Sequence, residues 1–183
     1  EKINRLAQEA EASLAPIFAK IDQVSYENTQ KVMDVFREHR VSEALFNPSS
    51  GYGYDDRGRD TLDEIYARVF GAEAAFVRHS ILSGTHALTI GLFGLLRPND
   101  IMFSIAGKPY DTLEEVIGIS GNPGDGSLKD FGVEYMQTEL CDTGFDFDAI
   151  EKALRANPGR VKMAFIQRSK GYLNRKTLAV AEI

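Results

Sequence analysis

Ala74-Ala75-Phe76-Val77-Arg78, a short connector, and then Ser83-Gly84-Thr85-His86-Ala87 opening the apolar run Leu88 to Leu96 form the stretch that decides how this chain is read. An apolar segment of strand length, then small hydroxyl and glycine residues, then a helix start, is the construction of an anion cradle. First-turn N–H groups lack intrahelical partners, and the helix dipole adds positive potential there. Gly84 lets an anion approach the backbone, and the Ser83 and Thr85 hydroxyls can each donate a hydrogen bond. Ser83 is equally suited to a plain N-cap.

Outward from this stretch the chain alternates. Before it, a helix is expected from Asp60, burying Leu62, Ile65, Tyr66, Val69 and Phe70 and closing at Gly71. After it, Arg97-Pro98-Asn99-Asp100 turns the chain into a strand over residues 101–105. A helix near Asp111 carries Leu113, Val116 and Ile117, and Gly121-Asn122-Pro123-Gly124-Asp125-Gly126 is a loop. Residues 133–140 read as a strand, 146–156 as a helix and 161–167 as a strand. Strand and helix taking turns with short crossovers predicts an α/β layer fold with a largely parallel sheet.

Toward the amino end, Ile3, Leu6, Ala7, Ala10, Leu14, Ile17, Phe18 and Ile21 recur at helical spacing. So long a stripe predicts a helix that packs on something outside itself. Ser25 is read as the N-cap of a second helix bearing Val32, Met33 and Phe36. The stretch Asn47-Pro48-Ser49-Ser50-Gly51-Tyr52-Gly53-Tyr54-Asp55-Asp56-Arg57-Gly58-Arg59 has no period and reads as a functional loop. Residues 177–183 look like the first turns of a helix. With about four strands before them, the sequence is expected to be the amino-terminal part of a longer polypeptide.

Composition narrows the function. The 183 residues are 43% hydrophobic and 26% charged, the balance of a globular chain. The net charge of −6, from 27 acids against 21 bases, and the lack of a basic block argue against nucleic acid or an anionic membrane as partner. No apolar run approaches the ~20 residues of a membrane span, and the charged amino-terminal stretch does not read as a signal peptide. Cys141, the single cysteine, excludes an intrachain disulfide and suggests a reducing, cytoplasmic setting. Its acidic neighbours Glu139 and Asp142 disfavour a reactive thiolate. His39 and His79 have no partners at metal-ligand spacing, and the acids from Asp142 to Asp148 lack the spacing of a calcium loop, so no metal site is expected.

Four blocks in order give the chain a family likeness. They are Tyr52-Gly53-Tyr54-Asp55-Asp56-Arg57-Gly58-Arg59-Asp60-Thr61-Leu62; Ser83-Gly84-Thr85-His86-Ala87; Gly107-Lys108-Pro109-Tyr110-Asp111-Thr112-Leu113-Glu114-Glu115-Val116-Ile117-Gly118; and Gln167-Arg168-Ser169-Lys170-Gly171-Tyr172. Together they resemble the methionine γ-lyase-like, or aluminium-resistance, branch of the fold type I pyridoxal-phosphate enzymes, relatives of the cystathionine and methionine lyases. The likeness runs from about Phe46 to Gln167. It implies a three-layer α/β/α fold with a mostly parallel sheet, incomplete here, in which residues 1–45 form a helical arm and 46–183 begin the large cofactor-binding domain.

The resemblance also implies roles. Ser83, Gly84 and Thr85 would hold the cofactor phosphate, and Tyr110 would stack on the flat ring and serve in proton transfer near the leaving sulfur. Tyr54 with Arg57 or Arg59 would reach the phosphate from a neighbouring subunit; the family places its arginine two residues after the tyrosine, where this chain has Asp56, so the choice between the arginines stays open. The alternative for Arg57 and Arg59 is pairing with Asp55, Asp56 and Asp60 within the loop. His86 could face the cofactor or serve structurally. The lysine that condenses with the cofactor lies, in the family, beyond an aspartate-bearing strand that has no counterpart here, although Lys170 follows a predicted strand. The implied activity is that of a pyridoxal-phosphate-dependent carbon–sulfur lyase acting on a sulfur amino acid, as a homodimer or homotetramer with shared sites. Two alternatives are a non-catalytic remnant binding a phosphorylated ligand or a partner, and an unrelated nucleotide-binding module. The second would carry G-x-G-x-x-G after Val77, which is absent.

Overall fold

The structure, a computed structural model, describes every residue except Gly53, Asp55 and Thr143. The described residues form two compact units, Glu1–Ser80 and Ile81–Ile183.

In the first unit, α1 runs unbroken over Lys2–Glu38 where two helices were expected. Ser25 is not a cap. No glycine or proline stands between Ile21 and Met33 to stop the helix, and the Gln23 amide donates to Glu27 Oε1 at 2.7 Å across the expected break. Ile3, Leu6, Leu14, Ile17, Phe18 and Ile21 are all exposed, so the apolar stripe stays uncovered within the unit. Contact with the rest of the unit comes at the carboxyl end, where Val35 is buried and Glu38 pairs with Arg68.

Helix α2 spans Arg57–Phe70, starting three residues before the expected Asp60. Asp56 explains the shift: its carboxylate accepts the Arg59 N–H at 3.3 Å, an N-cap that a loop reading misses. Gly71 closes the helix in the left-handed conformation (φ 65°), as its position predicts. A single 3₁₀ turn, Glu43–Phe46, lies against the start of α2, so close that a Cβ on Gly58 would stand 2.2 Å from the Leu45 carbonyl oxygen.

Residues 74–78 are not a strand. Backbone groups form a strand only against a neighbour with free partners, and among the described residues this segment has none. It is held by side chains instead: Asp63 accepts the Val77 N–H at 2.7 Å and the Arg78 guanidinium at 2.8 and 2.9 Å. Arg78 also lies over the Phe76 ring, 4.2 Å from its centroid.

The second unit is an α/β layer around a parallel sheet. Its elements are α3 (Gly84–Leu95), β1 (Ile101–Ser104), a 3₁₀ turn (Asp111–Leu113) continuing into α4 (Glu114–Ile117), β2 (Glu134–Gln137), the short antiparallel pair β3 (Leu140–Cys141) and β4 (Gly144–Phe145), α5 (Phe147–Ala156) and β5 (Val161–Phe165). The sheet order is β2-β1-β5, both pairings parallel. The strand expected over 133–140 is divided between β2 and β3. Residues 177–183 hold a 3₁₀ turn at Val180–Glu182 rather than a longer helix.

Strand β1 lies between two partners and is buried along its whole length, which accounts for its unbroken apolar reading. Met102 packs with Leu92, Leu96, Leu113, Ile117, Leu128 and Val133 into the core. At the amino ends of the strands, Ile101 N–H donates to the Arg160 carbonyl at 2.8 Å. The Arg160 guanidinium reaches the Asn99 carbonyl at 3.2 Å and Glu134 Oε1 at 2.6 Å. Arg160 thus touches the starts of all three strands, and the register slips between Ile101 and Met102 beside it.

Two carboxylates organise the loop after α4, Asp125 taking the Asn122 N–H at 2.8 Å and Asp130 the groups that follow. Asp130 accepts from the N–H groups of Gly124, Gly126 and Ser127 at 2.9, 3.0 and 3.0 Å and from the Ser127 hydroxyl at 3.1 Å. These bonds, the backbone ones of Gly124 and Ser127 foremost, hold its pKa below the ordinary 3.8. A depressed carboxylate stabilises the fold above its unfolded value, and that contribution fades as pH falls through the folded value. Asp130→Asn should therefore lower the urea midpoint at pH 7, and the gap from the parent should narrow as the pH is taken below 3.8. A gap that stays constant down to acid pH would contradict this account.

Candidate functional site

Ser83 sits in extended backbone (φ −158°, ψ 167°) at the N-cap of α3, and its Oγ accepts the His86 N–H at 3.1 Å. The N-cap role and the anion role coexist, because a hydroxyl that accepts one bond still has its own proton to donate. A Cβ built on Gly84 would meet nothing within 4 Å, so the space before the first turn is open. The Thr85 hydroxyl donates to Thr112 Oγ1 at 3.1 Å, tying the cradle to the 3₁₀ turn that Tyr110 caps. An open approach, a free hydroxyl proton and a helix N-terminus are what a phosphate ester requires. His86 Nδ1 accepts the Leu82 N–H at 3.3 Å and so shapes the entry to the cradle.

Tyr110 follows β1, on the loop at the carboxyl end of the sheet, where open α/β folds place their ligands. Its N–H donates to Gln167 Oε1 at 2.8 Å, and its phenol donates to the Tyr172 hydroxyl at 3.2 Å. The two rings are stacked, with centroids 5.7 Å apart and planes at 26°. The bond to Tyr172, then the charges of Tyr172 and Asp111, raise the Tyr110 pKa above the ordinary 10.0, so the phenol keeps its proton at neutral pH. A cleft of about 150 Å³ lies here, lined by Tyr110, Glu114, Lys170 and Tyr172 among others. Lys108 is held by Glu114 at 2.8 Å.

Sequence reasoning gave no role to Tyr172, Gln167, Arg175 or Thr112, although two of them stand in the fourth block. The available signal was an aromatic residue directly after a glycine, which lets a backbone lie close to another ring. Along β2, the Tyr135 phenol donates to Gln137 Oε1 at 2.6 Å. Burial pushes its pKa up to about 12.

The other expected residues lie in the first unit. Tyr54 is exposed at the end of the loop. Arg59 pairs with Asp56, its guanidinium 2.9 Å from the carboxylate. Arg57 is exposed and, among the described residues, makes no ion pair. The Ser49 hydroxyl, donating at 3.0 Å, is the main cause of the lowered Asp56 pKa, with the Arg59 N–H and charge adding to it. The expected alternative partner Asp55 lies outside the described residues. A cleft of about 600 Å³ beside this corner is lined by Phe36, Leu45, Arg59, Ile65 and Arg78, among others. Among the described residues there is no cluster of three or more His, Cys, Asp or Glu side chains able to hold a metal, and no helix long and apolar enough to cross a membrane.

A parallel α/β sheet, with an open helix N-terminus and a tyrosine on the loop at its carboxyl end, places the chain among the α/β proteins. The family is specific. The methionine gamma-lyase family model matches residues 3–183, and the chain belongs to that family. It is 50% identical over its whole length to the uncharacterised protein YnbB of Bacillus subtilis (strain 168), of which it covers 43%. Among solved structures it resembles a candidate cystathionine beta-lyase involved in aluminum resistance from Clostridium acetobutylicum (TM-score 0.92, 43% identity, covering 100% of this chain and 43% of that one). It also resembles a carbon-sulfur lyase involved in aluminum resistance from Clostridium novyi NT (TM-score 0.90, 43% identity, covering 99% of this chain and 43% of that one). The chain thus spans less than half the length of these relatives.

Proposed function

We propose that the protein to which this chain contributes is a pyridoxal-phosphate-dependent carbon–sulfur lyase acting on a sulfur amino acid. The observation that carries the reading is the open Ser83-Gly84-Thr85 cradle, linked through Thr85 and Thr112 to the turn that Tyr110 caps. Family membership supports it. In this reading the sheet and its helices belong to a three-layer fold type I domain, residues 1–45 are its helical arm, and the protein works in the cytoplasm.

When bound, pyridoxal phosphate draws electrons from an attached amino acid and makes its Cα proton acidic. The chain's own residues bind and orient. The Ser83 hydroxyl and the first N–H groups of α3 would hold the phosphate, and Thr85 fixes the cradle to the Tyr110 turn. Tyr110 would stack on the cofactor ring, and its Oη, protonated at neutral pH, would be the proton source for a departing thiolate. Tyr54 with Arg57 or Arg59 serves the phosphate of a neighbouring copy, so the active form has at least two subunits, a homodimer or homotetramer. Arginine's planar fork suits that task.

The test is thiol release from cystathionine or a related sulfur amino acid by the full-length polypeptide supplied with pyridoxal phosphate, beside Arg57→Ala/Arg59→Ala. Thiol release by the parent and weaker cofactor retention by the variant are expected. Equal retention would remove both arginines from the phosphate site and leave Arg59 to its pair with Asp56. Cofactor capture without thiol release from any sulfur amino acid would favour the binding-only alternative.

A further inference from the structure

We propose that Tyr172 is a positioning residue for Tyr110: it accepts the Tyr110 phenol in a hydrogen bond and lies against its ring, and so fixes where that phenol stands. The inference rests on the reading of Tyr110 as the functional phenol.

Contacts from three directions hold the pair. The hydroxyls are 3.2 Å apart and the rings stack at 5.7 Å. Gly171, in left-handed backbone (φ +53°), brings the chain so close that a Cβ there would meet Tyr110 Cδ2 at 3.2 Å. Gln167 holds the Tyr110 backbone from the other end of the same segment. The segment itself is folded by one guanidinium: Arg175 donates to the carbonyls of Gln167 at 3.1 Å, Ser169 at 2.9 Å and Lys176 at 3.0 Å. Residues 167–176 therefore form a mount closed over Tyr110.

Tyr172 itself is 85% exposed, so burial does not account for its place. Its hydroxyl and its ring both meet Tyr110. Asp111 acts on the Tyr110 phenol by its charge, and Lys108, Glu114, Lys170 and Arg175 line the same cleft. Of these groups, Tyr172 is the one hydrogen-bonded to the phenol.

The test uses the full-length polypeptide carrying tyrosine labelled with ¹³C at Cζ, with the Tyr110 signal assigned through Tyr110→Phe. Tyr172→Phe keeps the stack and removes the hydrogen bond. The Tyr110 phenol should then titrate at lower pH than in the parent, and kcat should fall about tenfold with KM little changed, the worth of one hydrogen bond. A Tyr110 titration that does not move overturns the proposal. Gly171→Ala, which displaces the ring and keeps the Tyr172 hydroxyl, should shift the Tyr110 resonance; an unmoved resonance also overturns it. If Tyr110→Phe leaves turnover intact while Tyr172→Phe still moves the Tyr110 titration, the positioning stands and the proton-donor role falls.

Discussion

Tyr110→Phe, made in the full-length polypeptide, is expected to retain pyridoxal phosphate and to lose about a hundredfold in turnover, the lower range of what a positioned general acid supplies. Phenylalanine keeps the ring, so stacking survives; what goes is the proton on Oη. The parent's activity should hold through neutral pH and fall as pH rises through the phenol's pKa, which the Tyr172 bond keeps above 10.0. That alkaline limb should be missing from the variant. Turnover equal to the parent's would leave Tyr110 a stacking residue only, and loss of the cofactor would mean that the phenol is needed for binding rather than for chemistry.

Gly58→Ala is expected to destabilise the first unit by about 1–3 kcal/mol, the range of overpacking. Helix propensity pulls the other way, favouring alanine by ~1 kcal/mol. The clash wins because the atom in the way is backbone: the Leu45 carbonyl oxygen, 2.2 Å from the new Cβ. Either the 3₁₀ turn at Glu43–Phe46 or the first turn of α2 must move, and the second carries the Asp56–Arg59 pair. Gly91→Ala is the control, since a Cβ there meets nothing within 4 Å. Urea unfolding of the full-length protein measures both, and a Gly58→Ala midpoint at or above the parent's would refute the packing account.

Part of this was legible in the sequence. The α5 boundary could be read because Asp146 is a strong cap, its carboxylate taking the Ala149 N–H at 2.9 Å. Gly71 and Ser83 were legible for similar local reasons. What misled was local signal without a local cause. Ser25 looks like a cap, yet nothing near it stops α1. Residues 74–78 have strand composition, yet strand formation is decided by a neighbour that one sequence window does not contain. The start of α2 was hidden because Asp56 stands among turn formers whose composition speaks for a loop. At the candidate site, the residue types of the cradle and of Tyr110 were readable from motif order. Tyr172 was not, because its meaning depends on Arg175 folding the chain back over a residue 62 positions earlier.

The Arg160 contacts at the amino ends of β2, β1 and β5 have a consequence for how this protein can change. The Arg160–Glu134 pair is solvent-exposed and adds little to stability; its value is geometric. A slide of either outer strand along β1 by one residue would break a bond that Arg160 makes, so Arg160 marks the strand alignment at the amino ends. At the opposite end, where the loops carry Tyr110 and Tyr172, the Thr138 and Phe165 carbonyls take the Gly107 and Ile105 N–H groups at 2.8 and 3.1 Å, so backbone bonds hold the alignment there as well. Loop side chains beyond those bonds can therefore be exchanged while the backbone bonds at both ends, and with them the strand alignment, stay in place.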